Sequence, residues 1–383
     1  MLYSFFLRII WNTHTRSFIL WLFQLLPIKR GRVMCVSWSG EAYSCNPRAI
    51  AEYLISDTDK WNVFFAFRQP QLFANSIPQG ICAVEIGSLR YFYLLATSNF
   101  VIANTRLGGG MYWPFAKRKG QFYIQTMHGG HGIKRQELEI SSQLGDEYVM
   151  SLYNDALRTD LMISDSRFWT EKARTIFAYP KGEILEVGLP RNDVFFKGNI
   201  YKHNKSGDKY VIYCPTFRSN KRLDVYGFDI DKVVSALEKK FGGRWYIRIS
   251  SHPNMKSYYR QIYDFSHPRI VDVGDDDLQK MLVTSDIAIT DYSSAGFEFA
   301  LSCRPCFLLC RDLVNYERGV YFDMRSLPFP FAETDDELIE NILSFDNDKY
   351  LVDLERFNRD VIGLHETGHA TEAVVEWMKR RMM

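Results

Sequence analysis

Residues 128–135 (HGGHGIKR) combine proton-transfer groups, cations and glycines within eight positions. Histidine exchanges protons near neutral pH, and glycine lets a ligand approach backbone N–H groups closely. The segment follows an apolar run at 122–127, so His128 stands at a strand end, and we predict that it is catalytic. The further candidates in this segment are Gly129, Gly130, His131 and Lys134. The alternative is a surface loop with solvated histidines, and the spacing does not match a Walker-type phosphate loop.

Other polar residues follow apolar runs in the same way. Thr216 and Arg218 come after the run at 210–214, where a hydroxyl and a guanidinium together favour a phosphate contact. His252 follows the run at 245–249 and precedes a proline that stops the strand, so we predict a functional role for it. Arg191 lies in the turn GLPRND, where the alternative is a structural Arg–Asp pair.

The segment ITDYSSAGFE at 289–298 is typical of a strand, a turn and the start of a helix. Ser293 and Ser294 fall at the predicted helix start, where free N–H groups and the helix dipole favour phosphate. Simple capping of the helix by serine is the alternative. Glu298, about one turn further on, is a candidate to accept hydrogen bonds from a ribose.

Short apolar runs separated by helix-length segments must position these residues. The runs are continuous rather than alternating, which indicates strands buried on both faces and hence parallel sheets covered by helices. In the first half they are 33–38, 63–67, 82–86, 100–103, 122–127, 161–164 and 184–187; in the second they are 210–214, 245–249, 270–273, 287–290 and 306–309. Two such sets predict an α/β protein with two Rossmann-like domains facing across a cleft, with ligands at the carboxyl ends of the strands.

The polar stretch at 197–209 is the predicted domain boundary. It divides the chain into an amino-terminal segment (1–30), a first domain (31–200), a second domain (201–365) and a terminal segment (366–383). Apolar positions at helical spacing in this last segment predict a helix that packs back on the first domain.

Composition excludes several classes of protein. The 383 residues are 46% hydrophobic and 24% charged, as in a folded soluble protein. Five cations and no acid lie within residues 1–40, so the rest of the chain is slightly acidic, which argues against nucleic-acid binding. Of the seven cysteines, Cys35, Cys214, Cys306 and Cys310 lie in apolar, strand-like runs, which favours a reducing compartment. For the cluster of Cys303, Cys306 and Cys310 we expect core packing rather than metal binding.

The first 30 residues are apolar and basic. The uncharged run at 17–28 has 12 residues, too few for a membrane-spanning helix, which needs about 20. An amphipathic helix lying on an anionic membrane surface fits better. The alternative is a first helix that packs on its own domain.

The ordered motifs QFYIQTMHGG, GLPRND, YCPTFR, SSHP, ITDYSS and YERGVYFD together resemble the bacterial CDP-glycerol glycerophosphotransferase family of teichoic-acid and related capsule synthesis. The resemblance runs from about Gln121 to Asp323. It implies a glycosyltransferase-B type fold, a peripheral enzyme on the cytoplasmic face of the membrane, and no metal or cofactor. Met127 stands where the family usually has tryptophan.

The resemblance also implies roles for single residues. His128 is the implied catalytic base, and His252, Ser293 and Ser294 hold phosphate. Because hydroxyl and guanidinium groups bind phosphate, we also expect Thr216, Arg218 and Arg318 to contact the donor diphosphate. The loop after His128, with Gly129, Gly130, His131 and Lys134, is expected on the acceptor side together with Arg191.

The implied reaction moves glycerol phosphate from CDP-glycerol to a hydroxyl of a lipid-linked or polysaccharide acceptor and releases CMP. CDP-ribitol is an alternative donor. A nucleotide-sugar glycosyltransferase of the same fold, and an inactive membrane-bound scaffold, are the other hypotheses. The sequence leaves the oligomeric state open.

Overall fold

The computed structural model describes residues 13–57, 60–107, 115–180, 182–197, 207–218, 222–250, 261–273 and 277–382. These residues fold into two units. The first unit takes the described residues up to Gly130, with Glu137–Asp193 and His365–Met383. The second takes His131–Gln136 and Val194–Leu364. The short segment His131–Gln136 thus groups with the second unit, although its neighbours on both sides group with the first.

The first unit is built on helices that alternate with strands. In chain order its elements are α1 (Thr13–Phe23), β1 (Lys29–Val36), α2 (Cys45–Ser56), β2 (Asn62–Phe67), β3 (Ile81–Glu85), α3 (Leu89–Thr97), β4 (Ser98–Ala103), β5 (Phe122–Gln125), α4 (Asp146–Arg158), β6 (Leu161–Ser164), α5 (Arg167–Ile176) and β7 (Glu183–Glu186). The strands form a seven-stranded sheet in the order β3-β2-β1-β4-β5-β6-β7. All of its paired strands are parallel.

The second unit repeats this plan. Its elements are β8 (Asp208–Cys214), α6 (Ile230–Phe241), β9 (Arg244–Ile249), β10 (Ile270–Val271), α7 (Leu278–Val283), β11 (Ile287–Thr290), α8 (Ala295–Ala300), β12 (Cys306–Leu309), β13 (Phe331–Ala332), α9 (Asp335–Leu343) and α10 (Asn347–Arg356). The six strands run in the order β10-β9-β8-β11-β12-β13 and are also parallel. A last helix, α11 (Ala370–Met382), belongs to the first unit. The predicted α/β class with two Rossmann-like parallel sheets is confirmed.

Strand alternation in β1 explains how the first sheet is covered on both faces. Val33 and Cys35 are fully buried on one face in a cluster with Trp377 of the last helix. Met34 and Val36 are buried on the other face with residues of α1 and α3. Because successive side chains point to opposite faces of a strand, a run with no polar position requires a layer of helices on each side.

The strand order places a topological switch point in each sheet. In the first sheet β1 lies between β2 and β4, and in the second β8 lies between β9 and β11. Chain connections leave such a strand pair in opposite directions, which opens a crevice at the carboxyl ends of the two strands. The exits of β1 and β4, and those of β8 and β11, are therefore where ligands are expected.

The helix α1 has one packed face and one open face. Leu20 and Arg16 are buried, and the Phe23 ring meets Tyr93 edge-on at 5.8 Å. On the other face, Phe18 and Trp21 are more than half exposed. The helix therefore packs on its own unit, as the alternative hypothesis predicts, and it also presents apolar side chains to solvent. Binding of this region to a membrane surface stays a prediction. Residues 1–12 of the predicted membrane segment lie outside the described residues, and no described helix is long and apolar enough to span a bilayer.

Candidate active site

At the switch point of the first sheet, side chains that follow β4 hold the turn that follows β1. The Asn104 side-chain oxygen accepts a hydrogen bond from the backbone N–H of Trp38 at 2.8 Å, and Thr105 Oγ1 accepts one from Ser39 N–H at 3.2 Å. Trp38 and Ser39 both have positive φ angles, 48° and 54°. Non-glycine residues rarely adopt this left-handed conformation. The two hydrogen bonds therefore hold an unfavourable turn in place beside Asn104.

His128 is exposed at this same switch point. Its ring lies 4.6 Å from the Trp38 ring, and its Nδ1 is 3.2 Å from the backbone oxygen of Asn104. A carbonyl oxygen can only accept a hydrogen bond, so in the neutral imidazole Nδ1 carries the proton. The lone pair then resides on Nε2, which is the tautomer that a general base requires.

The turn between β5 and His128 is held by side chains on two elements. Met127 has a positive φ of 54°, and its N–H donates to Gln125 Oε1 at 3.0 Å. The Asn46 amide on α2 donates to the backbone oxygens of Thr126 and Met127, at 3.1 and 2.9 Å. The backbone immediately before His128 is thus fixed from both sides.

Gln125 is itself held by a buried carboxylate, Asp155 on α4. Gln125 Nε2 donates to Asp155 Oδ2 at 3.1 Å, while the Tyr123 hydroxyl and the Leu107 N–H donate to Asp155 Oδ1 at 2.9 and 3.1 Å. Burial raises the pKa of Asp155 to about 6, against the effect of these hydrogen bonds. A chain of hydrogen bonds therefore runs from Asp155 through Gln125 to the turn that carries His128.

Gly130 is a position where a side chain has no room. An added Cβ would meet the Asp165 carboxylate oxygen at 1.6 Å. Gly129, between His128 and Gly130, is partly exposed. Gly130, which was predicted to let a ligand approach the backbone, is thus also required by the fold of the first unit.

The GLPRND turn ties the β5 exit to the last helix. The backbone N–H of Arg191 donates to Asn46 Oδ1 at 3.0 Å, which brings Arg191 beside the turn that precedes His128. Asp193 accepts from the N–H groups of Ala370 and Thr371, at 2.9 and 2.8 Å, at the start of α11. Asp193 therefore anchors this helix and is not the partner of Arg191 that the alternative hypothesis had assumed.

At the switch point of the second sheet, Arg218 is buried between two carboxylates. Its guanidinium lies 2.9 Å from Asp291 and 2.8 Å from Asp312. Its Nη1 also donates to the backbone oxygen of Thr216 at 2.6 Å. The predicted phosphate contact of Arg218 is not supported by this geometry, because its charge is already balanced and its side chain is only 3% exposed. Arg218 instead joins the exits of β8 and β11.

Thr216 and the two serines flank this ion-pair cluster. The Thr216 N–H donates to Asp291 at 2.8 Å, but its buried Oγ1 has no hydrogen-bond partner within the described ranges. Ser293 Oγ accepts from Ala295 N–H at 3.3 Å, a weak capping contact, whereas Ser294 makes no side-chain capping bond. Glu298 is buried and accepts from Gln279 at 3.2 Å.

His131 and Lys134 lie in the second unit, which the sequence did not predict. The His131 ring packs 4.7 Å from the Phe297 ring of α8. Lys134 pairs with Val320 in an isolated antiparallel bridge. The expectation that these two residues belong with the acceptor-side groups of the first domain is therefore not supported by where the structure places them.

Two predicted residues remain. Arg318 lies in the second unit, and its buried Nε has no partner in the part of the chain that is described. His252 lies outside the described residues. In the same described part, no group of three or more histidine, cysteine, aspartate or glutamate side chains is arranged to hold a metal ion. Cys306 and Cys310 are buried in the core as expected, but the expected core packing is wrong for Cys303, which is exposed.

Comparison with known proteins places the chain in a family. The family model for CDP-Glycerol:Poly(glycerophosphate) glycerophosphotransferase matches residues 19–379. The chain belongs to this family. The match covers both units and includes every predicted site residue, so the family assignment does not depend on single motifs.

Relatives in the family carry different names. The chain is 29% identical to a teichoic acid poly(glycerol phosphate) polymerase of Bacillus spizizenii, over 94% of this chain and 95% of the relative. It is equally similar to the polymerase of that name from Bacillus subtilis, but spans only 47% of its length. A teichoic acid ribitol-phosphate primase of Bacillus spizizenii is 26% identical, with 92% of each chain covered.

The fold of the family is also seen in solved structures. The wall teichoic acid polymerase TagF superposes with a TM-score of 0.79 at 24% identity, covering 96% of this chain and 94% of that one. At this level of identity the likeness concerns the fold.

Several residues at these sites were missed by reasoning from the sequence. Asn104 follows β4 directly, so the rule that selected other strand-end residues would also have selected it. Asp312 also follows a strand, since it comes shortly after the end of β12. Asn46, Gln125 and Asp155 have no such signal, because Asn46 and Asp155 lie on helices and Gln125 is the last residue of β5 itself.

Proposed function

We propose that this protein transfers glycerol phosphate from CDP-glycerol to a hydroxyl group of a membrane-linked or glycan acceptor and releases CMP, in the synthesis of a teichoic-acid-like polymer. The observation that carries the proposal is the family match over residues 19–379. The geometry of His128 adds to it, because the imidazole is held in the tautomer of a general base.

In this mechanism His128 Nε2 takes the proton of the acceptor hydroxyl. The hydroxyl oxygen forms a bond to the β-phosphorus of CDP-glycerol, and the bond from that phosphorus to the bridging oxygen breaks. CMP leaves with the electron pair of the broken bond. General-base help of this kind contributes about 10²–10⁴-fold to a rate.

The charge of the diphosphate must be neutralised as the reaction proceeds. The groups assigned to this task are Thr216, Ser293, Ser294 and Arg318 in the second unit, together with His252. Arg218 has a positioning role, since it holds the Thr216 backbone oxygen and the Asp291 carboxylate. Glu298 stays a candidate for the ribose. In the first unit Gly129, Gly130 and Arg191 stay candidates for the acceptor.

We also propose that the enzyme acts on the cytoplasmic face of the membrane, bound through the open face of α1. Trp21 on this face is 54% exposed, and Leu25, just after the helix, is 69% exposed. Cations lie nearby, because Arg118 donates to the Leu26 backbone oxygen at 2.7 Å and Lys119 next to it is exposed. Apolar side chains beside cations suit an anionic lipid surface.

The test is a product analysis with purified protein. CDP-glycerol, CDP-ribitol and a UDP-sugar are each offered with lipid-linked acceptors, and CMP or UDP release is measured with the mass of the product. We expect CMP release and a mass increase of one or more glycerol phosphate units. The ribitol-phosphate primase among the relatives makes CDP-ribitol the second candidate donor. Faster turnover with CDP-ribitol than with CDP-glycerol would make CDP-ribitol the preferred donor. Release of UDP alone would overturn both candidate donors.

A further inference from the structure

The segment His131–Gln136 is fastened within the second unit by backbone pairing. The Tyr321 N–H donates to the Ile133 oxygen at 2.8 Å, and the Arg135 N–H donates to the Gly319 oxygen at 3.1 Å. Lys134 lies between these two hydrogen bonds, opposite Val320. Directly opposed residues of such a pair have neighbouring side chains. Lys134 is therefore held beside the segment that contains Tyr316 and Arg318.

Two cations in this neighbourhood are not balanced by carboxylates. Lys134 lies close enough to Arg318, Asp291 and Arg218 for their charges to act on its amine. Asp291 and Asp312, however, are already paired with Arg218. The buried Nε of Arg318 has no hydrogen-bond partner among the residues that the structure describes, and Asp291, the carboxylate whose charge acts on Lys134, is the one already paired with Arg218. An anion is the ligand that would complete their pairing.

Two buried hydroxyls point to the same kind of ligand. Thr216 and Tyr316 are 6% and 7% exposed, and neither Thr216 Oγ1 nor the Tyr316 hydroxyl has a partner in the described part of the chain. Both residues adjoin the ion-pair cluster: Thr216 N–H donates to Asp291, and the Tyr316 ring stacks at 3.7 Å on Tyr292. A buried hydroxyl without a partner is unfavourable and normally has a ligand or water.

We propose that Lys134, Arg318, Thr216 and Tyr316 form an anion site within the second unit that binds a phosphate group of the nucleotide diphosphate donor. The proposal rests on the proposed function and changes the role of Lys134, which becomes a donor ligand delivered by the loop that begins at His128. Ammonium and guanidinium groups with hydroxyl donors are the groups that bind phosphate oxygens.

Donor binding at this site is linked to a proton. Burial and the neighbouring Arg318 lower the pKa of Lys134 to about 8, with Arg218 acting in the same direction and Asp291 against it. A phosphate next to the amine favours its charged form and raises this pKa. Above pH 8, binding of the donor therefore takes up a proton, and the affinity falls as the pH rises.

The experiment is calorimetry of the full chain at pH 8.5, in two buffers of different ionisation enthalpy, with CDP-glycerol and with inorganic pyrophosphate. The difference between buffers gives the number of protons taken up. Lys134→Met is compared with Lys134→Arg and with Arg135→Met, which removes the neighbouring exposed cation of the same loop. We expect Lys134→Met to weaken binding by roughly 10- to 100-fold and to abolish proton uptake. Arg135→Met, the control, should bind nearly as the wild type does. Lys134→Arg keeps a cation at the site and should bind more tightly than Lys134→Met, but without proton uptake, because a guanidinium stays charged at this pH.

The outcomes separate this inference from the proposed function. If the wild type binds pyrophosphate with proton uptake but not CDP-glycerol, the anion site stands and the proposed donor fails. If the wild type binds CDP-glycerol and Lys134→Met binds equally well with the same proton uptake, the role of Lys134 is refuted. Thr216→Val should weaken the binding of both ligands, and it tests the site independently if Lys134→Met does not fold.

Discussion

The side-chain oxygen of Gln125 accepts a hydrogen bond from the backbone N–H of Met127, two residues further along the chain, at 3.0 Å. The same side chain donates to the buried Asp155 carboxylate at 3.1 Å. Gln125 therefore transmits the position of α4 to the turn that carries His128. Met127 has a positive φ, so without these bonds the turn would relax to a more favourable conformation.

Replacing Gln125 with methionine tests this relationship. The variant keeps the length of the side chain but loses the hydrogen bonds to Met127, Asp155 and Tyr123, so His128 should lose its fixed direction. We expect kcat to fall roughly 10- to 100-fold, as small misplacements of catalytic groups do, with an unchanged Kd for CDP-glycerol. A Gln125→Met variant with the kcat of the wild type would contradict the positioning role.

His128→Ala should abolish transfer while binding of CDP-glycerol survives. The reason is that His128 belongs to the first unit, whereas the groups proposed for the diphosphate belong to the second. Radiolabel transfer and calorimetry on the same preparation measure the two properties. A variant that loses donor affinity but keeps transfer would exclude His128 as the base.

Asp155 should make stability depend on pH between about 4 and 6. Its pKa is raised by burial to about 6 in the folded protein, against about 3.9 in an unfolded chain. The folded state thus binds more protons in this range, and its stability falls as the pH rises from 4 to 6. The full effect is about 3 kcal/mol. Urea unfolding of the wild type and of Asp155→Asn at several pH values should show a shallower pH dependence for the variant.

Arg218→Met should destabilise the second unit strongly. Removing the guanidinium leaves Asp291 and Asp312 buried without a partner, and breaking a buried ion pair costs about 3–5 kcal/mol. Urea unfolding followed by tryptophan fluorescence measures the loss. Arg222→Met is the matched control, because Arg222 pairs with Asp224 at an exposed position, and it should change stability by less than about 1 kcal/mol.

The open face of α1 should carry the binding to membranes. Replacing Phe18, Trp21 and Leu25 with serine leaves the buried Leu20 in place. Deletion of the amino-terminal segment would instead remove Leu20 from the core. We expect the affinity of the triple variant for phosphatidylglycerol vesicles to be more than about tenfold lower than that of the wild type, without a change in Tm. Serine at Met150 and Leu157, exposed apolar residues of α4, is the control. Equal losses in the two variants would argue against α1 as the binding face.

The sequence alone determined most of the local structure and the set of strand-end candidates. The predicted strands at 161–164, 287–290 and 306–309 coincide with β6, β11 and β12, because three or four consecutive apolar residues next to turn-forming residues suffice to define a buried strand. The run at 122–127 was predicted two residues too long, since Gln125 bonds the N–H of Met127 and ends β5. The two-residue strand β13 (Phe331–Ala332) was missed because it is too short to form a pattern.

Only the tertiary structure decided which of the candidate side chains remain available to bind a ligand. Thr216, Arg218 and Arg318 look alike as phosphate ligands in the sequence, yet Arg218 is neutralised by Asp312, 94 residues away. Lys134 is six positions after His128 but is held in the other unit by pairing with Val320. Periodicity and turn chemistry act over a few residues, so they predict where a strand ends. Ion pairs and backbone pairing between distant segments depend on the folded chain, and they decide what stands beside that strand end.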